Sequence, residues 1–499
     1  MADNERQNVL FILTDQHRKG SLGCYGNTVC HTPNLNRLAR EGVVFDNAYT
    51  TCPVCSPARA SLQTGQYPFH HGMQTNIFDH GCMVHELPDT QRLLSRSLQR
   101  AGVQAGYTGK WHLGFGRDAF RDPYYQQHYR NIDTHIYDIV YPEFYRDGSS
   151  LPSELGYVGD DFPGHGGGGH NYPQYLEYLK ANGLEHKLKP GEGGADIVSP
   201  VESTMPYYLT QRCKTVLDDF RQQASPFFFM LNFWGPHGPA YVHRTYMERY
   251  REATFEPWPS FDEDQRNKPR IHNAKRARVE WKHIENQLRY YYGYVSFIDA
   301  QIGRLLEYLR EHDLDRNTWI IFSADHGDSM GIHNGLMDKS FYLYEDTASV
   351  PLIIRPPGGL DEGRREDRFA SHTDLYSTIL DIAGLPEEQC RRDGRSLLPL
   401  IRNETVHDWP RVAVTEASGL AFCLFTQRMI RRGTHKYVFN CGDIDELYDL
   451  QNDPCEMRNL AVETEYGGLL REMREELAAW MEEHDDRLLG QFKSICRMT

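Results

Sequence analysis

The chain has 499 residues, 39% of them hydrophobic, enough to bury a large core and, on length, to form two domains. A formal net charge of -15 excludes nucleic acid as a partner, because gripping phosphate backbones needs basic stripes. No apolar run approaches the ~20 residues of a membrane span, and the eleven cysteines, scattered without a framework, read as reduced thiols of a cytoplasmic protein.

Residues 1–7 lack the basic and apolar succession of a signal peptide, which again predicts a cytoplasmic location. Residues 8–14 form an apolar strand ending in Asp15-Gln16. Cys55 opens a helix in which Pro57 suits the first turn and Arg59 lies about one turn on. Such a helix start attracts anions, since free N–H groups and the dipole both favour negative charge. Residues 103–108 form a second apolar run, ending in Gly109-Lys110-Trp111-His112. Residues 115–206, rich in Tyr, Gly and Pro, predict an insertion of the kind that shapes a pocket, and residues 163–170 within it predict a flexible loop. Residues 227–233 end in Trp234-Gly235-Pro236-His237. Residues 290–309 predict a helix with Ile298, Ile302, Leu305, Leu306 and Leu309 on one face, a scaffold element. Residues 319–324 end in Asp325-His326-Gly327. Beyond Pro386 the character changes. Short strands are predicted at 411–415 and 421–426, then Glu446-Leu447-Tyr448-Asp449-Leu450. A helix follows whose face of Leu470, Met473, Leu477, Trp480 and Met481 is core packing.

Strands alternating with helices over roughly the first three-quarters of the chain predict an α/β domain with a largely parallel sheet at residues 1–385. A smaller α+β domain is predicted at residues 386–499. Four core strands each deliver polar or ionisable groups just past their carboxyl ends, the edge where open α/β sheets bind ligands. One such ending is an ordinary turn; four point to a shared site.

At that edge Asp15, Gln16, Asp325 and His326 make a metal-ligand set. Carboxylates and an amide oxygen suit Ca²⁺ or Mg²⁺, while the histidine leaves Mn²⁺ or Zn²⁺ open. Cys52 and Cys55 form a C-x-x-C, which also reads as a redox pair or half a zinc site. There is no second C-x-x-C, and a cysteine phosphatase would place its arginine further on.

Cys55-Ser56-Pro57-Ala58-Arg59, followed by Leu62, Thr64 and Gly65, resembles the signature of the type I sulfatases of the alkaline phosphatase superfamily. Gly109-Lys110-Trp111-His112-Leu113-Gly114, Pro236-His237-Gly238-Pro239, Ser323-Ala324-Asp325-His326-Gly327 and the Glu446 motif resemble further sulfatase segments. The resemblance implies an alkaline phosphatase-like fold, a large mostly parallel sheet sandwiched by helices. It implies that an enzyme oxidises Cys55 to formylglycine, whose hydrated aldehyde is the nucleophile. It implies a divalent metal, calcium first with magnesium or manganese open, on Asp15, Gln16, Asp325, His326 and the modified Cys55. Arg59 would hold the hydrate, and Lys110 and Lys339 would bind sulfate oxygens. His237 would protonate the leaving oxygen, and His112 would take the proton that releases sulfate. Asn76 is a candidate anion contact. Gln16 and His326 depart from the family's commoner aspartate and asparagine and look more like choline-sulfatase and phosphonate monoester hydrolase. The expected activity is hydrolysis of a sugar or small-alcohol sulfate ester, with phosphonate monoester or phosphodiester hydrolysis as the alternative. The implied partners are that small anionic substrate and a formylglycine-generating enzyme, with homo-oligomerisation open. A noncatalytic metal-binding scaffold and a thiol redox protein are the rivals of other classes.

Overall fold

The run at residues 8–14 becomes strand β1 (Asn8–Asp15), buried along its whole length, which is why its sequence is a solid apolar block and not an alternation. The computed structural model describes residues 7–77, 82–114, 150–162, 168–223, 225–274, 279–339, 341–386, 392–420 and 423–498. The main sheet continues with β2 (Val43–Phe45), β3 (Gln104–Gly109), β4 (Val158–Gly159), β5 (Phe227–Pro236), β6 (Thr318–Ala324), β7 (Leu352–Arg355) and β8 (Arg364–Glu366). Their spatial order is β8-β2-β7-β6-β1-β5-β3-β4. Only β7 opposes the common direction, so the sheet is largely parallel, as expected. The four strands singled out by their endings, β3, β5, β1 and β6, are consecutive neighbours at its centre.

Helices cover the sheet in two groups. One holds α1 (Pro33–Arg40), α4 (Met205–Gln222) and α5 (Trp281–Glu311); the other holds α2 (Cys55–Thr64), α3 (Leu94–Arg100) and α6 (His372–Ile382). Helix α2 stops at Gly65, whose φ of 69° is left-handed and whose N–H returns to Ser61 O at 2.8 Å. A side chain there would meet the Tyr376 ring at 2.4 Å, so glycine is required twice over. The same holds at Gly109, where an added Cβ would stand 1.8 Å from Asn232 O and force β3 and β5 apart at the site.

Downstream, β9 (Val412–Ala417), β10 (Gln427–Arg432), β11 (His435–Asn440) and β12 (Glu446–Asp449) form an antiparallel sheet. Helix α7 (Gly467–Glu483) packs Met473, Leu477, Trp480 and Met481 against Ile430, Tyr437 and Phe439. Of the strand expected at 421–426, the described residues 423–426 carry no strand. Residues 421 and 422 lie outside the described residues, and a lone bridge joins Leu420 to Cys423. The register pairs Ala417 with Gln427, so the residues between them are the connection. The insertion expected from composition carries, in its described part, a helix at Pro173–Ala181 and a hairpin of Leu188–Gly191 with Gly194–Ile197. Residues 163–167 of the expected flexible loop lie outside the described residues. Among the described residues no helix is long and apolar enough to cross a membrane.

Candidate active site

The carboxyl ends of β1, β6, β5 and β3 meet the start of α2. Asp15 closes β1, and Asp325 and His326 directly follow β6; all three are fully buried. One ligand atom each from Asp15, Cys55, Asp325 and His326 lies within 4.8 Å of the others. Cys55 Sγ stands 3.2 Å from His326 Nε2, 3.9 Å from Asp15 Oδ1 and 3.5 Å from Lys110 Nζ. The His326 ring holds its other nitrogen, Nδ1, 2.9 Å from Gly327 O, so that nitrogen carries the hydrogen and Nε2 is left for the cluster.

Arg59 knits the cluster together. Its Nε donates to Asp325 Oδ2 and its Nη2 to Asp15 Oδ2, each at 3.0 Å, and Nη1 donates to Lys110 O at 2.9 Å and Asn232 Oδ1 at 3.3 Å. Lys110 Nζ also pairs with Asp15 Oδ2. Asp15 is held well below the usual carboxylate range. Burial alone would raise it, but Lys110, His237, Arg59 and His326 outweigh burial. His326 is pushed up to about 9, burial opposing while Asp325 and Cys55 prevail. The carboxylate charge that raises His326 would equally favour a metal cation in the same place. Two carboxylates, an imidazole and a residue that modification would convert to an oxygen ligand therefore fit a divalent cation.

At the rim, Lys339 Nζ donates to Gln16 Oε1 at 2.6 Å and lies 2.8 Å from His237 Nε2. Burial opposes the Lys339 charge, yet Asp338, Cys55 and Asp15 raise its affinity for the proton. An ammonium has no lone pair, so His237 Nε2 accepts and the ring hydrogen sits on Nδ1, donated to Gly238 O at 2.6 Å. The His237 backbone N–H donates to Asp15 O at 3.1 Å, which ties the tip of β5 to β1. Gln16, His112 and Asp338 all hold left-handed backbones, with φ of 58°, 55° and 67°. Three non-glycine residues in that region at one site mark stored strain of the kind found at functional centres.

The residues expected at the site lie together here, but the Gln16 amide oxygen, expected on the metal, accepts from Lys339 instead, and the start of α2 differs from its expected setting. The Ser56 N–H at the start of α2 is not open to an anion, because it donates to Asn76 Oδ1 at 3.0 Å. Asn76 thus caps the helix with the oxygen it offers. Ser56 Oγ donates to His112 O at 2.7 Å, placing His112 beside the first turn. Cys52 and Cys55 are both free, and burial pushes the Cys52 thiol well above its ordinary range, which opposes a redox pair.

Several site residues were not foreseen. Asp328 Oδ2 accepts from Gln16 Nε2 at 2.6 Å. Tyr291 OH donates to Gln16 O and accepts from Arg18 N, both at 2.8 Å, so the long helix read as scaffold also reaches the site. Asn232, at the tip of a strand already marked, holds Arg59. Beside His237 opens a cleft of about 630 Å³, lined by Gln16, Tyr241, Tyr291, Asp328 and Asp338 among others. A cavity of about 550 Å³ near Tyr67, Arg392 and Trp480 contains none of these groups.

A protein-family model described as Sulfatase matches residues 7–385, and one described as N-sulphoglucosamine sulphohydrolase, C-terminal, matches residues 331–483. The chain is 28% identical over 524 residues to an N-acetylglucosamine-6-O-sulfatase of Bacteroides thetaiotaomicron, covering 97% of this chain and 88% of that protein. It is 27% identical over 471 residues to a choline-sulfatase of Rhizobium meliloti, covering 91% of this chain and 82% of the relative. The crystal structure of the phosphonate monoester hydrolase of Agrobacterium radiobacter superposes with a TM-score of 0.75 at 24% identity, over 96% of each chain.

Proposed function

The chain belongs to the sulfatase family, whose members are sulfuric ester hydrolases of the alkaline phosphatase superfamily, and we propose that it cleaves the sulfate ester of a sugar or small alcohol using formylglycine made from Cys55. One observation carries this reading. Cys55 Sγ sits at the mouth of a buried Asp15, Asp325 and His326 cluster with Lys110 and Arg59 against it, where a modified residue 55 would present oxygen to both cation and substrate.

Asp15, Asp325, His326 and residue 55 would hold a divalent cation, with Gln16 at its edge, calcium being expected and magnesium or manganese open. The cation and the hydrated aldehyde together would supply Lewis acidity and an oxygen nucleophile at neutral pH. The rest falls to the chain's own side chains. Arg59 fixes the geometry of Asp15 and Asp325, and Lys110 and Lys339 bind the sulfate oxygens as charge builds. His237, whose Nε2 lies 2.8 Å from Lys339 Nζ, would deliver the proton to the leaving oxygen. His112, held beside the first turn of α2, takes up the proton whose removal lets sulfate go. Asn76 orients the helix start beneath the anion.

The Gln16 and His326 pair supports a second reading, a phosphonate monoester or phosphodiester hydrolase with the same machinery, because it lowers the negative charge at the cation. The deciding experiment uses protein co-expressed with a formylglycine-generating enzyme and compares 4-nitrophenyl sulfate with 4-nitrophenyl phenylphosphonate. A higher kcat/KM on the sulfate supports the proposal, and a higher value on the phosphonate establishes the rival. Localisation in the cytoplasm and the split near residue 385 remain part of this proposal.

A further inference from the structure

We propose that Asp328 is a positioning residue that aims the Gln16 amide, allowing a neutral side chain to stand at the edge of the metal-ligand cluster. The proposal rests on the functional reading above for the use of that cluster. An amide has one end that donates and one that accepts, and nothing in glutamine itself decides which neighbour receives which. Asp328 Oδ2 accepts from Gln16 Nε2 at 2.6 Å, and a carboxylate offers no hydrogen in return. On the other side Lys339 Nζ donates to Gln16 Oε1 at 2.6 Å, and an ammonium offers no lone pair. Only one of the two amide orientations satisfies both neighbours.

Asp328 is itself fixed. It is 5% exposed, and its Oδ1 accepts from Met330 N at 2.9 Å. Gln16 is anchored from behind by its backbone N–H, donated to Asp325 Oδ1 at 3.0 Å. The contacts run from Asp328 through Gln16 to Lys339, and from Lys339 to His237 Nε2 at 2.8 Å. Asp328 lies outside the reacting groups, yet it decides whether Lys339 faces an oxygen or an N–H at position 16. It also supplies, one shell out, a negative charge that Gln16 does not carry.

The test reverses the pair. Asp328→Asn sets an N–H against Gln16 Nε2, so the glutamine amide turns and offers its own N–H to Lys339. Gln16→Glu sets two carboxylates against each other. The double variant Gln16→Glu/Asp328→Asn restores one donor and one acceptor between positions 16 and 328, an oxygen facing Lys339, and the original charge. The four proteins are compared by kcat/KM on 4-nitrophenyl sulfate and by the rise in melting temperature that Mn²⁺ alone gives to chelator-treated protein. Each single variant should lose about tenfold or more in kcat/KM, the scale of one mismatched buried hydrogen bond, and most of the Mn²⁺-dependent rise. The double variant should return to within about threefold of the original chain and recover the rise. If Asp328→Asn does not fold, the comparison of Gln16→Glu with the double variant decides, since adding the second substitution must raise both readouts. Losses that add in the double variant, or an Asp328→Asn protein equal to the original, overturn the proposal. If the original chain cleaves no sulfate ester, the functional reading fails, and the Mn²⁺ melting comparison still judges Asp328.

Discussion

Replacing Arg59 tests whether the site is held together by its charges. The Arg59 guanidinium is 2% exposed and reaches Asp15 Oδ2 at 3.0 Å and Asp325 Oδ2 at 2.9 Å. Arg59→Ala leaves two fully buried carboxylates short of one cation. Stranding one partner of a buried ion pair costs on the order of 3–5 kcal/mol. Lys110 still contacts Asp15, so the lower end, about 3 kcal/mol, is expected. Arg59→Lys keeps the charge but not the planar fork that serves both carboxylates, and should cost on the order of 1–2 kcal/mol. A divalent cation neutralises the same carboxylates and binds only the native state, so it should recover more stability in Arg59→Ala than in the original chain. The assay is the melting temperature and urea midpoint of chelator-treated protein, with and without added Mn²⁺ or Ca²⁺. An Arg59→Ala midpoint equal to the original would refute the network. A loss that added cation leaves undiminished would show that guanidinium and cation do not share Asp15 and Asp325.

Peptide mass spectrometry of active protein should show Cys55 with sulfur lost and oxygen gained, and full activity from wholly unmodified cysteine would refute the nucleophile. Cys55→Ala should abolish nearly all turnover while retaining a reduced cation-dependent rise in melting temperature, because Asp15, Asp325 and His326 remain. His237→Ala should slow alkyl or sugar sulfates far more than nitrophenyl sulfate, which needs no leaving-group proton; general acid help is typically worth ~10²–10⁴-fold. Equal losses on both kinds of substrate would assign His237 to anion binding instead.

Much of this site was legible because β1, β3, β5 and β6 announce themselves twice. Each is an apolar run, and each is followed at once by the groups it delivers. Parallel strands stacked side by side must then bring Asp15, Lys110, His237 and Asp325 to one edge. Asp328 and Tyr291 were not legible for a physical reason. Asp328 follows Gly327 in a loop where an aspartate is ordinary, and its meaning lies in a partner, Gln16, that is more than 300 positions away in sequence. Tyr291 sits on a helix whose apolar face dominates the pattern, while its hydroxyl reaches two backbone groups that no periodicity reveals. Strands β10 and β11 escaped because charged residues stud them. Arg428 and Lys436 are buried against Asp486 and Glu456, so alternation of polarity does not report burial there.

The charge around the cleft bears on which alcohol leaves. On the proposed mechanism the leaving oxygen departs beside His237, toward walls that include Asp328 and the Asp338 side chain, which is 39% exposed. Among the described lining residues there is neither lysine nor arginine. A second sulfate or a carboxylate on the alcohol would face Asp328 and Asp338, whose charge Lys339, paired with Asp338, offsets only in part. One pair of like charges about 4 Å apart costs ~1 kcal/mol in water and ~4 kcal/mol in a half-dry cleft. A neutral or amine-bearing monosulfate should therefore exceed its disulfated counterpart in kcat/KM by about fivefold, the low end of that range. Asp338→Asn loosens Lys339, which Asp338 pairs with at 3.1 Å, and so should slow every substrate; the ratio between the two substrates is the informative quantity. It should fall toward unity in Asp338→Asn and narrow at high salt, where exposed charges are screened. A disulfated sugar that is the better substrate, with a ratio unmoved by Asp338→Asn, would refute an acidic cleft as the selector of the leaving alcohol.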